Sequence, residues 1–249
     1  MKRLISLLIL ITALCTAGAQ VKIHAHNDYA KPLPLFDALQ HHSFSIEVDI
    51  FLVKGQLLVG HTLKETTKKK TLNSLYINPI ISLFKKHQGS VSADSSYKTS
   101  LVIDIKQNGT EVLKELVRVF QPLGAYFDRS VNPHAVQLIF SGDRGPISEW
   151  KNYPAYFYFD GRPFEEYDQD AIDKIAMVSD NYYKYLNRNN NGDIAKLSAV
   201  VKKAHDWKKP FRFWGSPDTE TVWKLLKQSG ADIINTDKPG ECRVFFQKL

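Results

Sequence analysis

Three pairs of polar residues at i, i+2 spacing interrupt otherwise apolar runs: His24 and His26, Glu47 and Asp49, Asp104 and Lys106. In a strand this spacing puts both members of a pair on one face. Three carboxylates gathered in one place repel and raise each other's pKa. A divalent cation relieves that repulsion. Glu47, Asp49 and Asp104 supply three oxygen ligands, which suits a hard ion such as Mg2+ or Ca2+ that keeps some of its waters. Lys106 adds a positive charge that would steady a phosphate or a metal ligand; the alternative is an inward salt-bridge network around it. His26 and His61 are the acid–base candidates, because imidazole titrates near neutral pH and one ring takes a proton while another gives one. His61 follows a short hairpin over 57–60 that would fold back over the other groups. His24 faces the same way as His26, where it would hydrogen-bond a substrate oxygen or fill the interior.

The elements that must position these residues alternate along the chain. The β-branched and aromatic runs predict strands over 21–26, 45–51, 100–105, 136–140, 155–159, 175–179, 211–214 and 232–236. Apolar spacing of three and four predicts helices over 34–42, 72–87, 110–123, 193–207 and 219–228, with weaker helical segments over 146–151 and 164–167. Residues 88–99 and 187–192 read as loops. Strands alternating with helices argue for parallel βα units, and their sum fits an α/β fold, a single (β/α)8 barrel. No glycine-rich phosphate loop follows the first strand, which counts against an open doubly wound sheet. The polar pairs then converge at the mouth formed by the C-terminal strand ends, where active sites of this fold sit. Arg144 near the end of the fourth strand is a candidate phosphate contact. Ser141, Asp160, Asn181 and Asn235 lie near strand ends and are read as loop hydrogen-bonders.

With 249 residues, 43% of them hydrophobic, the chain is sized for one well-filled core. Lys2 and Arg3, an apolar stretch over 4–14 and the small residues of Ala17-Gly18-Ala19 read as a signal peptide over 1–19, leaving Gln20 first and residues 20–249 as the barrel domain. The expected destination is the periplasm or outside the cell; lipid attachment at Cys15 is the lesser alternative. Cleavage leaves Cys242 alone, so no intramolecular disulfide is expected and this cysteine reads as structural. The formal charge of +7 falls to +5 on losing Lys2 and Arg3. The basic runs are scattered, which suggests a mild preference for anionic substrates or a peripheral contact with an anionic membrane surface. No nucleic-acid-binding motif is present.

The order His26, Glu47-x-Asp49, His61 after a Gly-x-Leu-x-Val-Gly segment, and Asp104-x-Lys106 resembles the phosphatidylinositol-phospholipase-C-like phosphodiesterase superfamily. Its glycerophosphodiester phosphodiesterase and sphingomyelinase D branches are the most similar. His26-Asn27-Asp28-Tyr29 and the segment from Pro34 to Leu39 also look like the fungal "altered inheritance of mitochondria" relatives. Trp214 and the stretch from Ile233 to Pro239 resemble the last two strands of the glycerophosphodiesterase barrel. The resemblance implies that His26 and His61 are catalytic, that Glu47, Asp49 and Asp104 hold a divalent cation, and that Lys106 and Trp214 contact substrate, with His24, Asn27 and Arg144 as further substrate contacts. Two departures stand out. Asn27-Asp28 replaces the Arg-Gly that follows the first histidine in glycerophosphodiesterases, and Asp104 replaces their usual glutamate.

The expected chemistry is hydrolysis of a glycerophosphodiester or (lyso)phospholipid-type substrate. One histidine deprotonates a water or a neighbouring substrate hydroxyl and the other protonates the leaving oxygen. Two alternatives stay open. His24-x-His26 also looks like the opening of a zinc-dependent amidohydrolase barrel, and a catalytically inactive barrel could bind a phospholipid or phosphosugar. The oligomeric state is not legible in the sequence.

Overall fold

A computed structural model describes residues 21–186 and 193–249. The signal peptide with Cys15 and its cleavage site, and the 187–192 loop, lie outside the described residues.

Eight parallel strands close into a barrel: β1 (Lys22–Ala25), β2 (Ser45–Val53), β4 (Ser100–Ile105), β5 (Gln137–Gly142), β6 (Phe157–Gly161), β7 (Ile175–Asn181), β8 (Phe211–Trp214) and β9 (Ile233–Thr236). Pairing of β1 with both β2 and β9 completes the ring. The remaining strand, β3 (Gln56–Val59), runs antiparallel on the overhanging end of β2 and forms the hairpin expected before His61. Outside lie α1 (Phe36–Gln40), α2 (Asn78–Lys86), α3 (Gly109–Phe120), α4 (Gly124–Phe127), α5 (Gln169–Lys174), α6 (Ile194–Asp206), α7 (Glu220–Gln228) and α8 (Pro239–Gln247). Among the described residues no helix is long and apolar enough to cross a membrane.

Alternation within the strands sorts the side chains. In β2, Ile46, Val48 and Ile50 pack outward under the helices while Ser45, Glu47 and Asp49 point into the barrel; β4 repeats this with Leu101, Ile103 and Ile105 against Ser100, Val102 and Asp104. The main core therefore lies between sheet and helices, with Trp150 stacked on Phe159 at 4.3 Å. A smaller cluster of Val102, Ile139, Met177 and Ile233 plugs the lower barrel interior. Above that plug the interior turns polar, with His24, Glu47, Asp49, Asp104, Asp160, Ser179 and Arg212 all buried or nearly so.

Three expectations need correction. Strands β5, β6 and β7 run two residues further than their apolar runs, because inward-facing polar residues at their C-terminal ends (Ser141, Asp160, Asn181) still pair in the sheet. The helix expected over 164–167 is a turn. The helix begins later, at α5, where the Asp168 side chain accepts from the Ala171 N–H as an N-cap. Helix α8, opened by Pro239, was not anticipated.

Candidate active site

The C-terminal strand ends surround a cavity of about 290 Å³ lined by His26, Asn27, Glu47, His61, Asp104, Lys106, Ser141, Gly142, Arg162, Arg212 and Trp214. Most of the expected site residues thus meet at one mouth.

His26 sits just past β1, where its N–H donates to Thr236 O at 3.0 Å. Its Nδ1 lies 2.8 Å from Asp237 Oδ1, and its Nε2 is 3.7 Å from Glu47 Oε1. Burial disfavours the charged ring, but Asp237 and Glu47 outweigh it and raise the His26 pKa. His61 enters from the segment after β3, held where the Gly60 N–H donates to Asp49 O at 3.2 Å. Its Nδ1 is 3.0 Å from Asp49 Oδ2. Both imidazoles are therefore anchored through Nδ1 by a carboxylate, which fixes each ring's orientation.

Register explains the carboxylates. Asp49 and Asp104 are direct neighbours across β2 and β4. Two like charges at that spacing require a cation between them, and Lys106 supplies it: Nζ is 2.7 Å from Asp49 Oδ2 and 2.5 Å from Asp104 Oδ2. This is the inward salt-bridge arrangement considered above. Burial, with Glu47 and Asp49 nearby, raises the Asp104 pKa despite Lys106. Asp104 is approached closely by β5, and only glycine fits there: Gly142 has φ +70°, and a Cβ would stand 2.3 Å from Asp104 Oδ1. The fully buried Asp49 also accepts from Tyr29 OH at 2.9 Å, while its Oδ1 has no hydrogen-bond partner.

Across the barrel, the almost fully buried Arg212 ties the interior together. Its Nη1 reaches Glu47 Oε2 and Asn235 Oδ1, both at 3.1 Å, and its Nη2 reaches Asp160 Oδ2 at 3.2 Å. Arg162 also pairs with Asp160, at 3.0 Å, and donates to Ser179 Oγ at 3.1 Å. Burial alone would raise Asp160, but Arg162 and Arg212 hold it low. Glu47 is likewise held low against its burial, by its hydrogen bond with His24 and by Arg212.

Two expected contacts fall elsewhere. His24 is fully buried, with Nδ1 2.8 Å from Ser45 Oγ and Nε2 2.7 Å from Glu47 Oε2. Burial and Arg212 lower its pKa to about 4, so the ring is neutral and braces Glu47 from within the barrel. That engagement leaves the zinc amidohydrolase alternative without its opening ligand pair. Arg144 turns from the cavity, pairing with Glu165 at 2.7 Å and lying over the Trp150 ring. Among the secondary candidates, Ser141 lines the cavity, whereas Asn181 caps a turn by accepting from the Tyr183 N–H. Cys242 is a buried free thiol, raised to about 12 by burial.

Arg162 and Arg212 carry no role in the sequence reading, and Asp237 and Tyr29 enter it only within the quoted motifs, without a role of their own. The signal for three of them was present: Asp160 and Arg162, Arg212 and Trp214, and Asn235 and Asp237 are also i, i+2 pairs at strand ends.

Comparison with known proteins bears on this geometry. Residues 13–130 match the family described as "AIM6-like phosphodiesterase domain". That match spans just under half of the chain, which is similar to AIM6-like phosphodiesterase domains over this stretch. The enzyme class that this similarity supports is phosphoric diester hydrolase. The AIM6-like segment holds both histidines, the three carboxylates and Lys106, whereas Arg162, Arg212 and Trp214 lie beyond it. The "Altered inheritance of mitochondria protein 6 homolog" of Arthroderma benhamiae is 26% identical over 264 residues, covering 91% of this chain and 84% of that one. Among solved structures, a glycerophosphodiester phosphodiesterase from Parabacteroides distasonis aligns with a TM-score of 0.55 at 14% identity, over 92% of this chain and 98% of that one. A Ca2+-dependent phosphatidylinositol-specific phospholipase C from Streptomyces antibioticus aligns with a TM-score of 0.53 at 11% identity, over 90% and 95%. These two structures share the barrel fold of this chain.

The Streptomyces antibioticus phospholipase C depends on Ca2+. Among the described residues no three histidine, cysteine or carboxylate groups stand ready-made as a metal site. The donor set nevertheless fits a hard ion. Glu47 and Asp104 line the cavity, Asp49 Oδ1 is buried without a partner, and a lysine ammonium already takes the cationic position between two of the carboxylates.

Proposed function

We propose that the chain is an exported phosphodiesterase that uses one divalent cation, Mg2+ or Ca2+, to cleave a glycerophosphodiester or (lyso)phospholipid-type substrate. One observation carries this reading: two imidazoles, each held through Nδ1 by a carboxylate, face one cavity that also contains Glu47, Asp104 and Lys106.

Roles follow from the surroundings. His26, whose charged form is favoured by Asp237 and Glu47, suits protonation of the leaving oxygen. His61, more exposed and oriented by Asp49, suits removal of a proton from the attacking water or substrate hydroxyl. Internal attack by a hydroxyl releases a cyclic phosphate; attack by water releases a monoester. Lys106 and Arg162 offer positive charge to the phosphoryl oxygens, and Trp214 and Asn27 border the space for the alcohol groups. Glu47, Asp49 and Asp104 would hold the cation, which supplies Lewis-acid stabilisation of charge on the phosphoryl group. Export rests on the N-terminal leader, and a mature protein beginning at Gln20 by mass spectrometry would support it.

The test is a metal-by-substrate screen. Protein stripped with EDTA is given Mg2+, Ca2+ or Mn2+ with glycerophosphocholine, a lysophospholipid or an artificial diester. The expected result is turnover only after a cation is restored. Stabilisation by a diester without turnover under any condition would instead support a binding barrel.

A further inference from the structure

The carboxylate that orients His26 stands just outside the sheet. Pairing of β9 with β1 ends at Thr236, opposite Ala25. Asp237 lies one residue further on, and its side chain is half exposed while it holds His26 Nδ1. A turn beyond the last paired residue is free to move unless other bonds hold it, and His26 moves with it. Here both peptide groups of Asp237 are held. Lys31 Nζ donates to its carbonyl, and its N–H donates to Asp218 Oδ2 at 3.0 Å.

Asp218 comes from the loop between β8 and α7. Its other oxygen accepts from Thr236 Oγ1 at 2.6 Å and from Trp223 Nε1 at 2.8 Å. Thr236 Oγ1 in turn accepts from the Lys238 N–H at 2.8 Å, and Thr236 O accepts from the His26 N–H. Thr236 and Trp223 are buried, so one carboxylate ties the exposed turn to the packed wall of the barrel. All three groups that meet Asp218 are donors, a set that a carboxylate satisfies and an amide does not. Helix capping does not account for Asp218, because α7 is capped by Thr219, whose side chain accepts from the Val222 N–H.

We infer that Asp218 is a positioning residue: it fixes the Asp237 turn against α7 and so holds the His26 ring in register with the cavity. The phosphodiesterase reading enters only in giving His26 its task, since the ring's environment is measurable without turnover.

Asp218→Asn keeps the size and shape of the side chain but turns an NH2 group toward one of the three donors. Nitrogen-15 NMR of the histidine rings reads the consequence, the His26 signals being those missing from His26→Ala. Asp218→Asn should move them in the direction that Asp237→Asn does. Trp223→Phe removes a donor from the same carboxylate without touching the link to Asp237, and should leave them in place. With a water-soluble diester and the cation that supports its turnover, Asp218→Asn should lower kcat by roughly three- to tenfold while KM stays within about twofold of the parent. In an Asp237→Asn background the same change should cost less than about twofold more. Unmoved His26 signals in Asp218→Asn, equal movement in Trp223→Phe, or losses that multiply across the two aspartates would overturn the positioning. Unmoved signals alongside turnover by the parent leave the phosphodiesterase reading standing; moved signals without turnover of any diester sustain the positioning and remove that reading.

Discussion

On the β1–β4 side of the cavity, Glu47, Asp49 and Asp104 stand against one ammonium, that of Lys106; on the β6–β8 side, the guanidiniums of Arg162 and Arg212 stand against one carboxylate, Asp160. In the arginine wall Arg162 borders the cavity, and Arg212, which also reaches its lining, is tied down. Arg212 is 3% exposed, and its two terminal nitrogens bond Asp160, Asn235 and, across the barrel, Glu47. The acid wall is open. Glu47 and Asp104 line the cavity, Asp104 is raised toward its neutral form, and the fully buried Asp49 keeps an unpartnered oxygen. One wall is thus a structural brace, while the other holds more negative charge than its own lysine offsets. Substitutions on the two walls should therefore have different signatures.

The largest effect is expected from the brace. Arg212→Met strands Glu47 and Asp160 without their shared partner and should destabilise the fold by about 3–5 kcal/mol in urea unfolding. A loss under about 1 kcal/mol would mean that the brace is not structural.

Next comes a buried acid behind the open wall. Asp28 accepts from the Leu35 N–H at 2.6 Å and from Tyr76 OH at 2.8 Å, and burial raises its pKa from 3.8 to about 6. A raised carboxyl contributes stability that is present below pH 3.8 and lost as the pH rises through about 6. Asp28→Asn copies the protonated form. It should be more stable than the parent by about 2–3 kcal/mol at pH 8, and the gap should close as the pH falls toward 4. Thermal melts across that range decide it; a gap constant with pH contradicts the assignment.

A smaller and more specific effect tests the open wall. Without added cation, Lys106→Met should lower stability by about 1–2 kcal/mol, since Lys106 is partly exposed. Ca2+ or Mg2+ should then raise its Tm more than the parent's, because the competing ammonium is gone. No cation-dependent shift in either protein would count against a metal at these carboxylates.

The smallest effect is a displacement along the pH axis. Asp237→Asn removes the hydrogen-bonded partner that helps to raise His26. The limb of the pH–rate profile belonging to His26 should move to lower pH. Because a raised histidine stabilises the fold below about pH 6.5 and loses that contribution as the pH rises, the stability deficit of Asp237→Asn should shrink above neutrality. An unmoved limb would sever His26 from Asp237.

Much of the open wall was legible because its polar residues come as conspicuous pairs within apolar strands: Glu47 with Asp49, and Asp104 with Lys106. The brace obeys the same rule less visibly. Asp160 and Arg162 fall where the apolar run of β6 has already ended, so they read as loop residues although Asp160 is still paired in the sheet. Arg212 is the one charge in a four-residue strand, Phe-Arg-Phe-Trp, and its i+2 partner Trp214 is aromatic rather than ionisable. What spacing does not carry is the direction of each long side chain. Lys106 bridges two carboxylates, and Arg144 leaves the mouth for Glu165; both choices depend on contacts between distant parts of the chain. The overall barrel was easier, since strand and helix periods alternate, although α8 escaped because β9 and the turn after it gave no warning of a further amphipathic turn.

The central claim is that His26 and His61 act as a pair on one phosphodiester. Phosphorus NMR of a glycerophosphodiester incubated with the cation-loaded chain, with His26→Ala and with His61→Ala tests it most directly. The parent should convert the diester signal to that of a monoester or a cyclic phosphate, and each variant should slow the conversion by roughly 10²–10⁴. Conversion at the parental rate by either variant would contradict the pairing.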